Sequence, residues 1–209
     1  MTPLPLFICL RNRRVLIVGG GSAARRKTKA LLGAGARPIV VAPKVVKELE
    51  VLQREGKIRW WKRSFEAKDC RCCSLVVAAT NDPKVNSLVG RAGRKNGALT
   101  VLCDKRKHQI TFASTVRRGK ITFAVSTAGT APALARYLKN EVAKHFPNEW
   151  KKVGQVFFLL RQRIKKLELP EEKELKLWQE IFASQALTLL LKGSEERFEE
   201  EVARCISLS

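Results

Sequence analysis

The sequence predicts an α/β fold of the Rossmann-like class, a doubly wound parallel sheet, followed by a small α+β dimerisation unit and a helical C-terminal region. Residues 15–18 are wholly apolar, as is typical of a strand buried on both faces. Three glycines follow them, and a helix-forming stretch then runs through Leu32. Short apolar runs continue to alternate with helical spacing up to about residue 113, which indicates a parallel sheet.

The turn after the first strand carries the strongest functional motif of the chain. Gly19 and Gly21 match the first two positions of a G-x-G-x-x-G/A fingerprint, and Ala24 takes the third. Glycine allows a tight turn and lets the backbone approach a pyrophosphate. The helix that follows would offer unpaired N–H groups and a partial positive charge to the phosphates. The motif favours a dinucleotide site over the alternative, a tight βα turn without a ligand.

The remaining elements of the first domain follow from apolar runs and turn residues. Glycines at 33 and 35 end the first helix, and about 20 residues between the first two strands suit a right-handed crossover. Pro83 opens a helix that Asp82 caps and that continues to Gly97. Further strands are predicted at 38–43, 57–62 (nearer a sheet edge), 74–80 and 98–103, with another helix at 44–55. We therefore predict a dinucleotide-binding domain of residues 1–113.

The pattern changes after this domain. Two strands, 111–115 and 120–127, are predicted around a turn at 117–120, and Pro132 opens a helix over 133–146. Because a unit of this size cannot bury both of its faces alone, we expect residues 114–146 to form a homodimer. Residues 147–209 form a predicted helical domain. Its helices are expected at 149–168, 171–191 and 194–206, with breaks at Pro170 and Gly193.

Ligands of open α/β sheets bind outside the carboxyl ends of the strands, which here are residues 19–22, 42–44, 80–82 and 103–105. The second strand ends without the carboxylate that commonly binds the ribose of NAD. Lys44 could instead favour a 2′-phosphate, so charge alone leaves both NAD and NADP open.

Two carboxylates at these strand ends could act as an acid or base. Helix capping explains Asp82, whereas no such geometry is evident for Asp104, for which function is favoured. His108 is either a solvated loop residue or a proton-transfer group near Asp104. His145, late in a predicted helix, is interpreted as a C-terminal cap.

Composition limits the classes of partner and location. The net charge of +22, from 41 Lys and Arg against 19 Asp and Glu, would attract nucleic acid or a ligand rich in carboxylates, or would simply cover a solvated surface. No nucleic-acid module is evident, which argues against nucleic acid as a partner.

The chain shows neither a secretory signal nor a membrane-length apolar run. Its six scattered cysteines indicate reduced thiols of a cytoplasmic protein. Cys70, Cys72 and Cys73 lack metal-site spacing and are interpreted as packing residues, so we predict no metal site.

Several motifs together resemble a known family over residues 3–146. They are residues 5–7, 15–21 with Ala24, Arg26 and Lys27, 32–36, 77–82 with Val85 and Asn86, 116–119, and above all 126–136. This combination resembles precorrin-2 dehydrogenase, the N-terminal module of siroheme synthase. One departure lies before the predicted catalytic loop, where the family's Asn-Val-Val-Asp is replaced by residues 101–104, Val-Leu-Cys-Asp.

The resemblance implies NAD-dependent oxidation of precorrin-2 to sirohydrochlorin and, in some members, insertion of ferrous iron. It also implies a homodimer in which residues 126–136 help to form the active-site cleft. Asp104 matches the family's proposed catalytic group, and His108 is the second catalytic candidate. The expected cofactor-binding residues are Gly19, Gly20, Gly21, Ser22, Ala23, Ala42, Pro43, Lys44, Thr80 and Asn81.

The substrate that the resemblance implies is a tetrapyrrole rich in carboxylates, which gives the basic composition a candidate cause. The expected substrate-binding residues are Ser126, Thr127, Gly129, Arg117 and Arg136, with Arg118 as a further cationic candidate. The alternative is a non-catalytic module of the same fold that binds a nucleotide or a tetrapyrrole.

Overall fold

The computed structural model describes residues 4–103 and 110–207. Asp104 and His108, the two expected catalytic residues, lie outside the described residues. The chain divides into two compact units, Met1–Thr111 and Phe112–Ser209. The finer division into three domains stays a prediction. Within the described parts of the chain, no helix is both long enough and apolar enough to cross a membrane.

The first unit is built on a five-stranded sheet in the order β3-β2-β1-β4-β5, and every pairing is parallel. This arrangement confirms the predicted doubly wound fold and the predicted edge position of the third strand. Its elements are β1 (Arg14–Val18), α1 (Ser22–Gly33), β2 (Arg37–Val41), α2 (Lys47–Arg54), β3 (Arg59–Trp61), a 3₁₀ turn (Ala67–Cys70), β4 (Leu75–Ala78), α3 (Pro83–Lys95) and β5 (Leu99–Leu102).

The core of this unit lies along the two central strands. Leu16 of β1 pairs with Ile39 of β2 and Val76 of β4, and both Leu16 and Val76 are fully buried. Cys70 and Cys73 pack into the same core, which confirms their predicted packing role, and burial raises the pKa of the Cys70 thiol to about 11. Cys72 is exposed instead.

The second unit begins with an antiparallel hairpin and continues as helices. Its elements are β6 (Ser114–Arg118), β7 (Ile121–Val125), α4 (Pro132–His145), α5 (Trp150–Lys165), α6 (Glu171–Ala183), α7 (Ala186–Leu191) and α8 (Glu195–Ser207). The predicted placement of the hairpin was wrong by about three residues in its first strand. The turn lies at Gly119, whose φ of +60° favours glycine, and Arg118 therefore pairs with Ile121.

A second correction concerns residues 171–191, which form two helices rather than one. Ser184 leaves the helical conformation with a ψ of −180°. Its hydroxyl donates to the Ile181 carbonyl at 2.8 Å and accepts from the Ala186 N–H at 3.1 Å. A side chain that hydrogen-bonds the local backbone in this way competes with the helix, and here it ends α6 and starts α7.

Two sets of contacts hold the second unit together. The guanidinium of Arg118 donates to the carbonyls of Phe146 and Ala143, at 2.7 and 3.3 Å, and so ties β6 to the end of α4. The helices α5 to α8 enclose a separate apolar core around Leu177, Ile181 and Phe198. His145 lies in the last turn of α4, as predicted, with its Nδ1 3.0 Å from the Glu141 carbonyl.

Candidate dinucleotide-binding site

The turn between β1 and α1 is held against both neighbouring strands by close backbone contacts. Gly19 has a φ of +121°, and a Cβ there would lie 2.3 Å from the Ala79 carbonyl oxygen, just after β4. A Cβ on Gly20 would lie 1.9 Å from the carbonyl oxygen of Lys44, just after β2. Neither distance is possible for a real side chain, so only glycine fits at both positions.

Gly21 has a different environment from the two glycines before it. A Cβ built there meets nothing within 4 Å, and its φ of −86° is ordinary. Gly21 is the N-cap of α1, and neither a capping side chain nor an acidic residue in the first turn satisfies the N–H groups there. Open space beside unpaired N–H groups at a helix N-terminus fits a pyrophosphate, so these residues suit a dinucleotide.

The segment after β2 forms the second part of this edge. The Ala42 N–H donates to the Trp61 carbonyl at 3.3 Å, and the Ala42 carbonyl accepts from the indole Nε1 of Trp60 at 2.9 Å. Pro43 and Lys44 are exposed. Sequence reasoning placed Trp60 within the third strand but did not identify its contact with Ala42. The available signal was that a half-buried indole N–H needs an acceptor.

The segment after β4 is fixed by a buried amide. Asn86 of α3 is 1% exposed; its Oδ1 accepts from the Thr80 N–H at 3.2 Å and from the Thr80 hydroxyl at 2.8 Å. Its Nδ2 donates to the Thr80 carbonyl at 3.1 Å. Sequence reasoning noted Asn86 only within a family motif and gave it no role. The contacts show that it holds Thr80 in place, while Asn81 is exposed.

Asp82 is a structural residue, as its sequence position predicted. Its Oδ1 accepts from the N–H groups of Lys84 at 2.7 Å and Val85 at 3.4 Å, which caps the N-terminus of α3. The capping interpretation is confirmed, and Asp82 therefore serves as a control for Asp104.

The sheet order brings the three predicted cofactor segments to one edge. Strands β2, β1 and β4 are adjacent and parallel, so residues 19–23, 42–44 and 80–81 follow neighbouring carboxyl ends. Lys27 of α1 interacts electrostatically with Cys103, the residue that follows β5. Burial lowers the pKa of the Lys27 ammonium, a shift that the charge of Cys103 opposes and that of Arg26 reinforces.

The expected substrate residues all lie in the second unit. Arg117 on β6 and Arg136 on α4 are exposed, whereas Arg118 is committed to α4. The Thr127 hydroxyl accepts a hydrogen bond from the Ala131 N–H at 3.2 Å. The Thr127 carbonyl accepts another from the Thr130 hydroxyl at 2.6 Å. Ser126 and Gly129 belong to the same loop, which ends at the N-terminus of α4. Among the residues that the structure describes, no group of three or more His, Cys, Asp and Glu could hold a metal ion.

The parallel sheet and its glycine turn define a dinucleotide-binding α/β protein. The chain belongs to the NAD_binding_7 family, described as "Putative NAD(P)-binding", whose model matches residues 6–114. This membership confirms a nicotinamide dinucleotide as the expected class of cofactor.

More specific similarities extend over nearly the whole chain. The siroheme synthase of Zymomonas mobilis subsp. mobilis is 36% identical over 205 residues, which are 97% of this chain and 43% of that protein. Siroheme synthase 1 of Yersinia enterocolitica is 34% identical over 203 residues, again 97% and 43%. The solved structure of SirC, a precorrin-2 dehydrogenase, has a TM-score of 0.77 and 26% identity, covering 96% of this chain and 99% of that one. The chain thus spans less than half the length of the two siroheme synthases, the curated relatives it matches.

Proposed function

We propose that this chain is an NAD-dependent dehydrogenase that oxidises precorrin-2 to sirohydrochlorin in siroheme biosynthesis. The observation that carries the proposal is the turn at residues 19–21, where two glycines allow backbone contact and the third faces open space. The names of the similar proteins, siroheme synthase and precorrin-2 dehydrogenase, support the choice of substrate.

Seven of the ten expected cofactor-binding residues have a definite task in this proposal. Gly21, Ser22 and Ala23 would hold the pyrophosphate at the N-terminus of α1. Pro43 and Lys44 would border the adenosine ribose, while Thr80 and Asn81 would line the edge after β4. When bound, NAD supplies an acceptor for one hydride.

The protein must also remove a proton. Oxidation of precorrin-2 transfers a hydride to NAD and releases a proton, which gives sirohydrochlorin and NADH. Asp104 is the proposed base for that proton, with His108 as the second candidate, and both assignments are based on the sequence.

Substrate recognition is proposed for residues of the second unit. Precorrin-2 carries several carboxylates, and the exposed guanidinium groups of Arg117 and Arg136 can pair with them in bidentate fashion. Ser126, Thr127 and Gly129 would contact the same molecule through the loop before α4.

We also propose that the protein is a homodimer that associates through residues 114–146. In α4, Leu134, Tyr137 and Leu138 are 49, 59 and 39% exposed and share one helix face by their spacing. An exposed stripe of large apolar side chains on one face of a helix is typical of a protein–protein interface and favours self-association. Sedimentation of Leu134→Glu should give monomers where the native protein gives dimers.

The dehydrogenase proposal is tested by NADH formation from precorrin-2 and NAD. We expect turnover by the native protein, and loss of turnover with retained NAD binding for Asp104→Ala. The matched control, Asp82→Ala, removes another carboxylate of the first unit whose contacts are those of a helix cap, and should keep turnover. If the native protein binds a tetrapyrrole and never forms NADH, the alternative, a non-catalytic binding module, replaces the proposal.

Iron insertion is a separate prediction that the sequence resemblance implies in some relatives. The same preparation, supplied with sirohydrochlorin and ferrous iron, should form siroheme if this chain also inserts the metal. A cytoplasmic location likewise stays a prediction.

A further inference from the structure

We infer that the first unit binds the surface of an anionic lipid bilayer, through the amino edge of its sheet and the apolar segment that precedes β1. The amino edge is the one at which the parallel strands begin, and it lies opposite the proposed dinucleotide site. The inference does not depend on the proposed function, because it uses none of the residues assigned to cofactor, substrate or catalysis.

Basic residues that are scattered along the sequence meet at this edge. Because parallel strands begin at the same edge of a sheet, the residues at their starts become neighbours. The Arg37 N–H donates to the Arg13 carbonyl at 3.0 Å, and Arg59 pairs with Ile39, which places Lys57 level with Arg37. The six exposed cations of this set, here called the basic edge, are Arg11, Arg13, Arg37, Lys57, Arg59 and Arg71.

Most of the charge of the basic edge is uncompensated. Glu55 pairs with Lys57 at 2.9 Å, whereas Glu66 and Asp69 pair at 2.6 Å with cations outside the set. Within residues 4–103, which the structure describes, no ion pair involves any of its five arginines. Each cation near an anionic membrane strengthens binding by about fivefold, so a row of them acts together.

Helix capping accounts for little of this charge. The helices α1, α2 and α3 end at the same edge, where basic residues are favourable. Arg54 serves α2 from its own last turn, and Arg94 and Lys95 serve α3. Arg11 lies beside Gly35, just after α1, and can serve that helix. The other members of the basic edge belong to strand starts and the segments before them.

The segment before β1 is a second, independent observation. Leu10 is buried and the Asn12 N–H donates to the Gly35 carbonyl at 3.0 Å, which fixes the point where the segment joins the edge. Each residue extends the chain by at most about 3.6 Å, so the third residue before Leu10 lies within about 11 Å of it. Large apolar side chains that are 47–77% exposed occupy this segment, namely Leu4, Leu6, Phe7 and Ile8.

The two features together favour a lipid bilayer over a nucleic acid. Proteins that bind single strands combine cations with aromatic rings on which the bases stack. Trp61, in the edge strand β3, already has the guanidinium groups of Arg14 and Arg63 over its ring, at 5.6 and 5.2 Å from the centroid. Exposed leucine and isoleucine side chains do not stack on bases. They enter the boundary between headgroups and acyl chains, where neighbouring cations meet lipid phosphates.

The test is sedimentation of the full chain with vesicles of phosphatidylcholine alone or of equimolar phosphatidylcholine and phosphatidylglycerol. At about 0.1 M salt we expect binding to the mixed vesicles and binding to the neutral vesicles that is weaker by about tenfold or more. At about 1 M salt, binding to the mixed vesicles should weaken because the charge is screened over a shorter distance.

The basic edge is tested by charge removal. Arg37→Gln combined with Arg59→Gln should weaken binding to the mixed vesicles by about 25-fold. The control combines Lys47→Gln with Lys84→Gln, which removes the same charge from exposed positions at the starts of α2 and α3. These helices begin at the opposite edge, about 16 Å away and beyond the Debye length, so binding should change by less than about twofold.

The apolar segment is tested separately. Phe7→Ser should weaken binding to the mixed vesicles by about tenfold or more, because it removes a ring that enters the bilayer boundary. Phe182→Ser removes another exposed ring, from α6, and should leave binding within about twofold.

The inference is overturned if the native protein binds neither kind of vesicle, or binds both equally. An equal loss in the Lys47 and Lys84 control would show that total charge rather than the basic edge attracts the lipid, and would also overturn it. Unchanged binding by Phe7→Ser would have the same consequence. Binding of duplex DNA without binding of vesicles would assign the basic edge to nucleic acid instead. Each of these outcomes leaves the dehydrogenase proposal intact, since NADH formation tests that separately.

Discussion

The two units of this chain differ in what holds them together. In Met1–Thr111 backbone packs directly against backbone at Gly19 and Gly20, where a single added carbon would overlap a carbonyl oxygen. In Phe112–Ser209 the core of the helical part is made of side chains, with Phe198 only 1% exposed. Both units therefore have an apolar core, and the first adds backbone contacts that only glycine permits, whereas the helical part of the second depends on the volume of its apolar side chains.

The units also differ in charge and in buried polar groups. The first contains 24 Lys and Arg against seven Asp and Glu, whereas the second contains 17 against 12. Among the described residues, the three buried polar side chains, Thr28, Asp69 and Asn86, all belong to the first unit. Positive charge and buried polar side chains are thus concentrated in the unit that carries the proposed dinucleotide site.

The largest expected effect tests the claim that backbone geometry governs the first unit. Gly20→Ala should lower the free energy of unfolding by more than about 4 kcal/mol or prevent folding, because its Cβ would overlap the Lys44 carbonyl. Chemical denaturation measures this change. Gly21→Ala is the control. It should keep native stability, since its Cβ meets open space, yet should weaken NAD binding. A stable Gly20→Ala variant would contradict the comparison.

The next effect tests the claim that side-chain volume governs the second unit. Phe198→Ala should cost about 3–5 kcal/mol of unfolding free energy, because it leaves a cavity among α5, α6 and α8. Phe182→Ala should cost only about 1 kcal/mol, since that ring is 57% exposed and loses mainly its stacking on Phe157. Equal losses in the two variants would show that burial does not decide stability here.

A smaller effect is expected at the buried amide of the first unit. Asn86→Ala removes three hydrogen bonds to Thr80 and should cost about 2–3 kcal/mol. The control is Asn96→Ala, which removes one bond to the Ala92 carbonyl and should cost about 1 kcal/mol. Because Thr80 borders the proposed site, Asn86→Ala should also weaken NAD binding, whereas Asn96→Ala should not. Calorimetry and denaturation of both variants distinguish these outcomes.

The smallest effect depends on pH. Asp69 accepts two bonds from the Arg63 guanidinium and one from the Glu66 N–H, which outweigh burial and hold the pKa of Asp69 below its ordinary value of 3.8. Since the folded-state pKa is the lower one, the stabilisation is complete above pH 3.8 and is lost as the pH falls through the folded value.

This dependence predicts how an uncharged variant compares with the native protein. Asp69→Asn should be less stable by about 1–2 kcal/mol near pH 6, and the difference should shrink below about pH 4. Urea denaturation across this range measures it. A difference that stays constant down to about pH 2 would exclude the ionised carboxylate as its source.

Much of the first unit could be predicted because its signals are local. Buried strands read as apolar runs, and the glycine turn and the Asp82 cap are short motifs with a known geometry. The second unit was harder. The predicted turn at 117–120 includes Gly119, but the first strand was misplaced because Arg117 and Arg118 continue it as far as that glycine. Residues 171–191 were read as one helix because Ser184 gives little signal of a break. The candidate site was predicted as segments, but not the contacts that fix them.

The sequence by itself determined the order of strands and helices, the glycine turn and the basic charge, since each depends on neighbouring residues. Only the tertiary structure decided that Gly20 lies against Lys44, that Trp60 holds Ala42, that Asn86 holds Thr80 and that Arg25 pairs with Glu48. These partners are between 6 and 24 residues apart along the chain. Asn86 and Thr80 meet across a single strand–helix turn, whereas the other three contacts form only when the fold brings segments 18 to 24 residues apart together.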